Sequence, residues 1–360
     1  MPEFSVNGDL GYPIVVGDGV RGELIGFLRQ NGPPAAVLCD GNRHVRSVAA
    51  AIASAAGGPP VLAFALGESG KRLATVERVL DEMLRAGVER SDLVLGVGGG
   101  VASDLFGFSC AAYMRGVRYA HVATSLVAMV DAAIGGKTGV NLRGGKNLAG
   151  AFRDPAGVFC EVGMLATLPA RARREGLAEI VKAAIIEGGV FFEALEELAA
   201  HPLARWPWAS VIESAIKVKT MIVADDRQEA GVRETLNLGH TFAHAIERAS
   251  NYEATHGEAV AVGLRAAGLL ALRSDRFSEA EHLRVLTLLT LLGLPLQTQV
   301  APEVILAAMQ GDKKKRAGRM RFVLPRTIGD VEYGVECDPR SVRAVLRRLQ
   351  EAPETFRARR

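Results

Sequence analysis

From residue 36 to residue 112, short apolar runs alternate with stretches of helical periodicity, and this alternation restricts the fold more than any other feature of the chain. Ala36–Cys39 reads as a strand, Val45–Ala56 as a helix, Val61–Leu66 as a strand and Leu73–Ala86 as a helix; Leu93–Val97 reads as a buried strand and Val101–Ala112 as a helix. Strands this short and apolar need cover on both faces, and a helix returning between successive strands makes them parallel. The expectation is an α/β domain with a parallel sheet, whose ligands bind at the carboxyl ends of the strands.

From about Pro169 the pattern changes. Arg171–Ile186, Phe191–Ala200, Ser210–Ala224, Asn237–Ser250, Glu258–Leu272, Ser278–Leu291 and Pro302–Met309 all carry helical spacing, and strand signals return only at Met320–Leu324 and Val331–Gly334. Residues 1–168 are therefore expected to form the α/β domain and residues 169–360 a mostly α-helical one; a chain of 360 residues, 49% hydrophobic, is long enough for both. A net charge of +3, with no basic run interleaved with aromatics, argues against a nucleic-acid partner. The first residues show neither a basic nor an apolar leader pattern, and the apolar run Val45–Leu66 is broken by Gly57-Gly58-Pro59-Pro60. No membrane span and a cytoplasmic location are expected. The four cysteines lie far apart without a CxxC, the usage of reduced thiols.

Three of the seven histidines fall between residues 237 and 260. His240 and His244 are one helical turn apart, and His256 follows a short polar break directly before Gly257. Two imidazoles from separate elements can share a metal ion and leave the third for proton or substrate work. Arg233, Asn237, His240 and His244 read as one helical stripe, too polar for a core and suited to an anionic ligand. Glu179 and Lys182 share a helix face, as a simple i,i+3 ion pair or with Glu179 as a carboxylate completing a metal site; spacing leaves both open.

Glycines mark the other candidate. Leu93–Val97 runs into Gly98-Gly99-Gly100 and a helix start, either a tight turn or a cradle for phosphate, with Asp104 in the following helix. Asp40 and Asn42 end an earlier strand, where ribose hydroxyls could bind. Lys137 and Lys146 are glycine-flanked, nine residues apart in a segment that reads as loop, and could hold a polyanion. Lys313–Arg316 forms a short basic cluster, a solvated loop or the cap of a site.

Taken in order, these residues resemble the 3-dehydroquinate synthases of the sugar phosphate cyclase family. The resemblance spans nearly the whole chain through Asp40-x-Asn42, Glu68-x-x-Lys71, Gly98-Gly99-Gly100-Val101 with Asp104, Tyr113-Met114-Arg115-Gly116, Val130-Asp131 and Gly135-Gly136-Lys137-Thr138. It continues through Gly145-Lys146-Asn147, Leu177-Ala178-Glu179-x-x-Lys182, Asn237-Leu238-Gly239-His240-Thr241-Phe242, His256-Gly257-Glu258-Ala259 and Asp312-Lys313-Lys314. It implies a divalent ion, zinc or cobalt, on Glu179, His240 and His256. It implies NAD on Asp40, Asn42, Glu68, Lys71, Gly99, Gly100, Val101, Asp104, Thr124, Ser125 and Thr167, with Lys146 at the boundary with substrate. Asp131 and Lys137 would serve both cofactor and substrate. Asn147, Lys182, Lys219, Arg233, Asn237, His244 and one of Lys313 and Lys314 would surround the substrate, and Arg115 would reach the neighbouring subunit's substrate phosphate in a homodimer.

The implied reaction converts 3-deoxy-D-arabino-heptulosonate 7-phosphate to 3-dehydroquinate and phosphate. Transient oxidation at C5 acidifies the C6 proton, phosphate leaves, reduction follows, and the ring opens and recloses by an aldol step. Ser125, Ser103 and Ala243 depart from the residues usual in the family, and Arg143 alters a loop; none is an implied metal or substrate ligand. An aminodehydroquinate synthase or another sugar phosphate cyclase is the alternative, followed by a metal-dependent polyol dehydrogenase. The latter does not need the Lys137/Lys146 pair.

Overall fold

The structure is a computed structural model that describes residues 4–7, 10–310 and 320–353. It divides into two compact units, the first running to Arg173 with Pro207–Ala224, the second comprising Arg174–Trp206 and Asp225 onward.

The first unit carries strands β1 (Phe4–Asn7), β2 (Pro13–Gly17), β3 (Ala36–Asp40), β4 (Val61–Phe64), β5 (Leu93–Gly98), β6 (Arg118–Ala123), β7 (Lys137–Leu142), β8 (Gly145–Phe152) and β9 (Val158–Glu161). Its helices include α1 (Arg21–Asn31), α2 (Arg43–Ala55), α3 (Leu73–Arg85) and α4 (Gly100–Ala112). Seven strands form one sheet in the order β1-β2-β9-β6-β5-β3-β4, parallel throughout except for the edge strand β1. Alternation along each strand sorts the core into two layers. In β3, Val37 and Cys39 pack with Leu24, Ala49 and Ile52 of α1 and α2, whereas Leu38 packs with Val79, Met83 and Phe106 of α3 and α4. The expected parallel α/β architecture is present. Its strands end at Asp40, Gly98 and Ala123, so the glycine turn and Thr124 lie at their carboxyl ends.

Lys137 and Lys146 are not on a loop. They lie on a separate antiparallel hairpin, β7–β8. Glycine and asparagine in Gly139, Asn141, Gly144, Gly145 and Asn147 disguise its alternation.

Among the described residues, the second unit is mostly helical. After α5 (Ala170–Glu187) come α6 (Gly189–Ala199), α8 (His240–Ala249), α9 (His256–Leu272), α10 (Glu279–Leu291), α11 (Pro302–Gln310), a hairpin of β10 (Arg321–Thr327) and β11 (Asp330–Glu336), and α12 (Pro339–Arg348), while α7 (Trp208–Asp225) belongs, to Ala224, to the first unit. Helix α9 is central, packing on α8, α10, α12 and β10, and nearly all of it is buried. Arg265 on this helix is fully buried and donates to the carbonyls of Leu296, Arg348, Glu351 and Ala352, which fastens the end of α12 to α9.

The stripe expected from Arg233 to His244 is not one helix. Val232–Asn237 is a 3₁₀ turn and α8 starts only at His240, with Gly239 between them at φ 77°. A side chain at Gly239 would meet the Leu264 nitrogen at 2.9 Å, so both the left-handed turn and the packing on α9 require glycine. No helix among the described residues is long and apolar enough to cross a membrane.

Candidate metal centre and nucleotide-binding residues

In the second unit, Glu179 from α5, His240 at the start of α8 and His256 at the start of α9 bring one carboxylate oxygen and two ring nitrogens within 4.8 Å of one another. Glu179 Oε1 lies 3.1 Å from His256 Nε2 and 3.4 Å from His240 Nε2. Each ring is held from behind. His240 Nδ1 is 3.1 Å from the Leu238 carbonyl, and His256 Nδ1 is 3.4 Å from Glu247 Oε1. Both Nε2 atoms therefore face the carboxylate. The set fits a divalent ion of the zinc type: two imidazoles and one carboxylate as donors, with outer partners fixing both rings.

Local sequence explains the placement. Glu258 reaches back to accept from the Thr255 amide at 3.0 Å, which caps the start of α9 at His256. Gly257 lets that first turn press on α5, since a β-carbon there would lie 2.2 Å from the Glu175 α-carbon, one turn before Glu179. Lys182 adds its ammonium at 2.5 Å from Glu179 Oε2, so the i,i+3 ion pair and the carboxylate's approach to both histidines coexist.

The electrostatics follow burial and these neighbours. Burial of Glu179 alone would raise its pKa, but the Lys182 ammonium and His240 hold its carboxyl well below the usual range. Burial and then Lys182 depress His240 despite Glu179. Burial also acts to lower His256, but hydrogen bonds to Glu179 and Glu247 prevail and push it up to about 10. The His244 ring stands 5.4 Å from that of His240 and 6.4 Å from that of His256, so all three imidazoles of the cluster meet. Arg233 is buried and donates to the Arg227 carbonyl at 2.6 Å, while Asn237 donates to Glu229 at 2.8 Å.

The first unit gathers a second polar group. Lys71, buried, donates to Asp104 and to Asn147 Oδ1 at 2.7 Å, and Lys146 lies 3.2 Å from Glu68. Asn141, which sequence reading had not singled out, joins the two pairs. It donates to Glu68 Oε1 at 2.7 Å and accepts from the Asn147 amide at 3.0 Å. Asn147 itself is left-handed at φ 50°, a conformation asparagine adopts more readily than most non-glycine residues. Burial pushes the Asp104 carboxyl up despite Lys71. Burial acts likewise on Glu68, but Lys146, Lys71 and Asn141 outweigh it and lower the pKa. Lys219 on α7 donates to the side chain of Asp131 and, at 2.8 Å, to its carbonyl.

Asp40 accepts from the Asn42 amide at 2.8 Å, and Asn42 caps α2 by accepting from the His44 amide at 2.9 Å. Gly99, Gly100 and Val101 make the turn into α4, where a β-carbon on Gly99 would lie 2.9 Å from Ser125 Oγ. Thr124 is buried, and Thr167 ends a 3₁₀ turn after β9. Lys137 opens β7. Arg115 is exposed and, with Met114, left-handed at φ 64° and 47°. Lys313 and Lys314 lie outside the described residues.

A parallel sheet with a glycine turn at its carboxyl edge, in a chain whose helical unit gathers Glu179, His240 and His256, defines an α/β protein with a candidate metal centre in its helical part. Family models narrow it: the 3-dehydroquinate synthase N-terminal model matches residues 61–175 and the C-terminal model residues 176–315. The chain belongs to the 3-dehydroquinate synthase family. The 3-dehydroquinate synthase of Acidithiobacillus ferrooxidans (strain ATCC 53993 / BNL-5-31) is 39% identical over 354 residues, 96% of this chain and 97% of the relative. That of Mycobacterium leprae (strain TN) is 41% identical over 323 residues, 87% and 88% of the two chains. Among solved structures, 2-epi-5-epi-valiolone synthase (ValA) from Streptomyces hygroscopicus subsp. jinggangensis 5008, with NAD+ and Zn2+ bound, superposes with a TM-score of 0.84 at 32% identity, covering 96% of this chain and 99% of that one. A glycerol dehydrogenase-type structure from Sinorhizobium meliloti 1021 shares the fold alone, with a TM-score of 0.60 at 19% identity.

Proposed function

We propose that the chain is a 3-dehydroquinate synthase, a carbon–oxygen lyase that converts 3-deoxy-D-arabino-heptulosonate 7-phosphate to 3-dehydroquinate and phosphate. The observation that carries this reading is the convergence of Glu179, His240 and His256 in a chain whose relatives of that name match it almost end to end. Glu179, His240 and His256 would hold the divalent ion, zinc or cobalt, which supplies Lewis acidity toward substrate hydroxyls. NAD, regenerated in each turnover, supplies transient oxidation. Asp40, Asn42, the Gly99–Val101 turn, Thr124, Ser125 and Thr167 would seat it, with Glu68, Lys71, Asp104 and Lys146 around it.

The remaining residues divide by charge. Lys137, Asn147, Lys182, Lys219, Arg233 and Asn237, with one of Lys313 and Lys314, would bind and orient a substrate that is anionic at both ends. Asp131, held by Lys219, would fix the position of that ammonium. His244, beside the cage but outside its donor set, would move protons at the substrate hydroxyls. The exposed, left-handed Arg115 would reach the substrate phosphate of the neighbouring subunit in a homodimer, and the enzyme would be cytoplasmic.

The test incubates zinc- or cobalt-loaded protein with the heptulosonate phosphate and catalytic NAD and follows phosphate and dehydroquinate together. Stoichiometric formation of both is expected. Absence of phosphate release with either metal, or net NADH accumulation with a polyol, would overturn the reading.

A further inference from the structure

Glu247 is buried at 1% exposure on α8, seven residues and so two turns beyond His240, on the face that also carries His244. Its Oε1 lies 3.4 Å from His256 Nδ1, while the opposite nitrogen of the same ring, Nε2, lies 3.1 Å from Glu179 Oε1. One imidazole thus bridges two buried carboxylates from different helices. An imidazole that gives its Nε2 lone pair to an ion carries its proton on Nδ1, and that proton needs an acceptor. For His240 the acceptor is the Leu238 carbonyl, an uncharged group two residues away on its own chain segment. For His256, at the start of a different helix, α8 supplies a carboxylate instead.

We propose that Glu247 is a positioning residue that selects the Nδ1–H tautomer of His256 and aims its Nε2 at the ion; this rests on the metal reading of the Glu179 site. Glu247 acts only through the ring. The contact at His256 Nδ1 holds the ring before the ion arrives, so that binding the ion does not have to order it.

Co2+ alone is the probe, titrated into metal-free full-length protein in the presence of a competing chelator and followed by its visible absorption. Glu247→Gln should weaken Co2+ by about 10- to 100-fold, the usual effect of removing an outer-shell partner. The rise in Tm on adding Co2+ should shrink accordingly, while the Tm of the metal-free protein stays near wild type, which a merely structural role would not allow. Wild-type Co2+ affinity in Glu247→Gln overturns the inference. Failure of the wild-type protein itself to bind Co2+ overturns the metal reading instead. Should Glu247→Gln not fold, Glu247→Asp keeps the charge and withdraws it by one methylene: weakened Co2+ binding with a native circular dichroism spectrum supports the inference, and unchanged binding refutes it.

Discussion

Replacing Gly257 by alanine tests whether the contact between two helices builds the Glu179–His240–His256 cluster. The added β-carbon would lie 2.2 Å from the α-carbon, 2.4 Å from the oxygen and 2.6 Å from the carbonyl carbon of Glu175. Carbon atoms in ordinary contact sit about 3.5–4.0 Å apart, so the first turn of α9 must withdraw by about 1.3 Å or more. Backbone lies on both sides of the clash, and no side chain can rotate away. His256 precedes the substituted residue and Glu179 is one turn beyond Glu175, so the retreat opens the 3.1 Å approach between them. Metal–ligand distances tolerate only about 0.2 Å. Overpacking of this kind costs about 1–3 kcal/mol. Metal-free protein can escape that cost by letting α9 move, whereas the ion must restore the strained arrangement. Affinity should then fall by the same 1–3 kcal/mol, about 5- to 150-fold. Co2+ titration of Gly257→Ala beside Gly22→Ala, where an added β-carbon meets nothing within 4 Å, measures the difference. Equal affinity in the two variants would refute the argument that α9 is pressed on α5 to place His256.

Three further outcomes are expected. His121, buried in β6, is depressed to about 4 by burial, so it stays neutral in the fold while the unfolded chain takes up a proton near pH 6.5. The unfolded state therefore gains the proton first, and the fold is destabilised by nothing above that pH and by a growing amount as pH falls toward 4, reaching about 3 kcal/mol; urea unfolding of His121→Gln should lose that part of the acid destabilisation, and an unchanged pH profile would contradict it. Arg265→Met removes the donor to four carbonyls, those of Arg348, Glu351 and Ala352 at and just beyond the end of α12 and that of Leu296 in the loop after α10, and should cost about 3 kcal/mol or more in chemical denaturation; a loss below about 1 kcal/mol would show that these bonds are replaced by water. Asn141→Ala removes the link between Glu68 and Asn147, and calorimetry should show NAD binding weakened about 5- to 10-fold, the worth of one or two such hydrogen bonds. Wild-type NAD affinity would show that Asn141 has no part in binding NAD.

The part of the fold that could be read from sequence is the part in which each element buries itself in a regular pattern. β3 and β5 are continuous apolar runs, and the amphipathic spacing of α2 and α3 is equally plain. β6 is as deeply buried, yet Tyr119 and His121 give it a polar look. Helix α12 passed unread although it carries its own signals: Asp338 caps it, Pro339 follows, and Val342, Val345 and Leu346 repeat at helical spacing. Four arginines among them hid the stripe.

The candidate site divides along the same line. His240 and His244 share a helix face because one helix carries both, and spacing reveals that much. Spacing cannot reveal that Gly239 ends the stripe, because the reason is the approach of α9 to its backbone. It also cannot decide between Glu179 as an ion-pair partner of Lys182 and Glu179 as a neighbour of His256, 77 residues away. Both are true, and they are physically linked. A buried carboxylate facing two imidazoles stays ionised at neutral pH because Lys182 offsets its burial, and the lysine can do so from one turn along the same helix without entering the space the histidines face. The ion pair that local spacing explains is thus one condition for the cluster that only tertiary packing assembles.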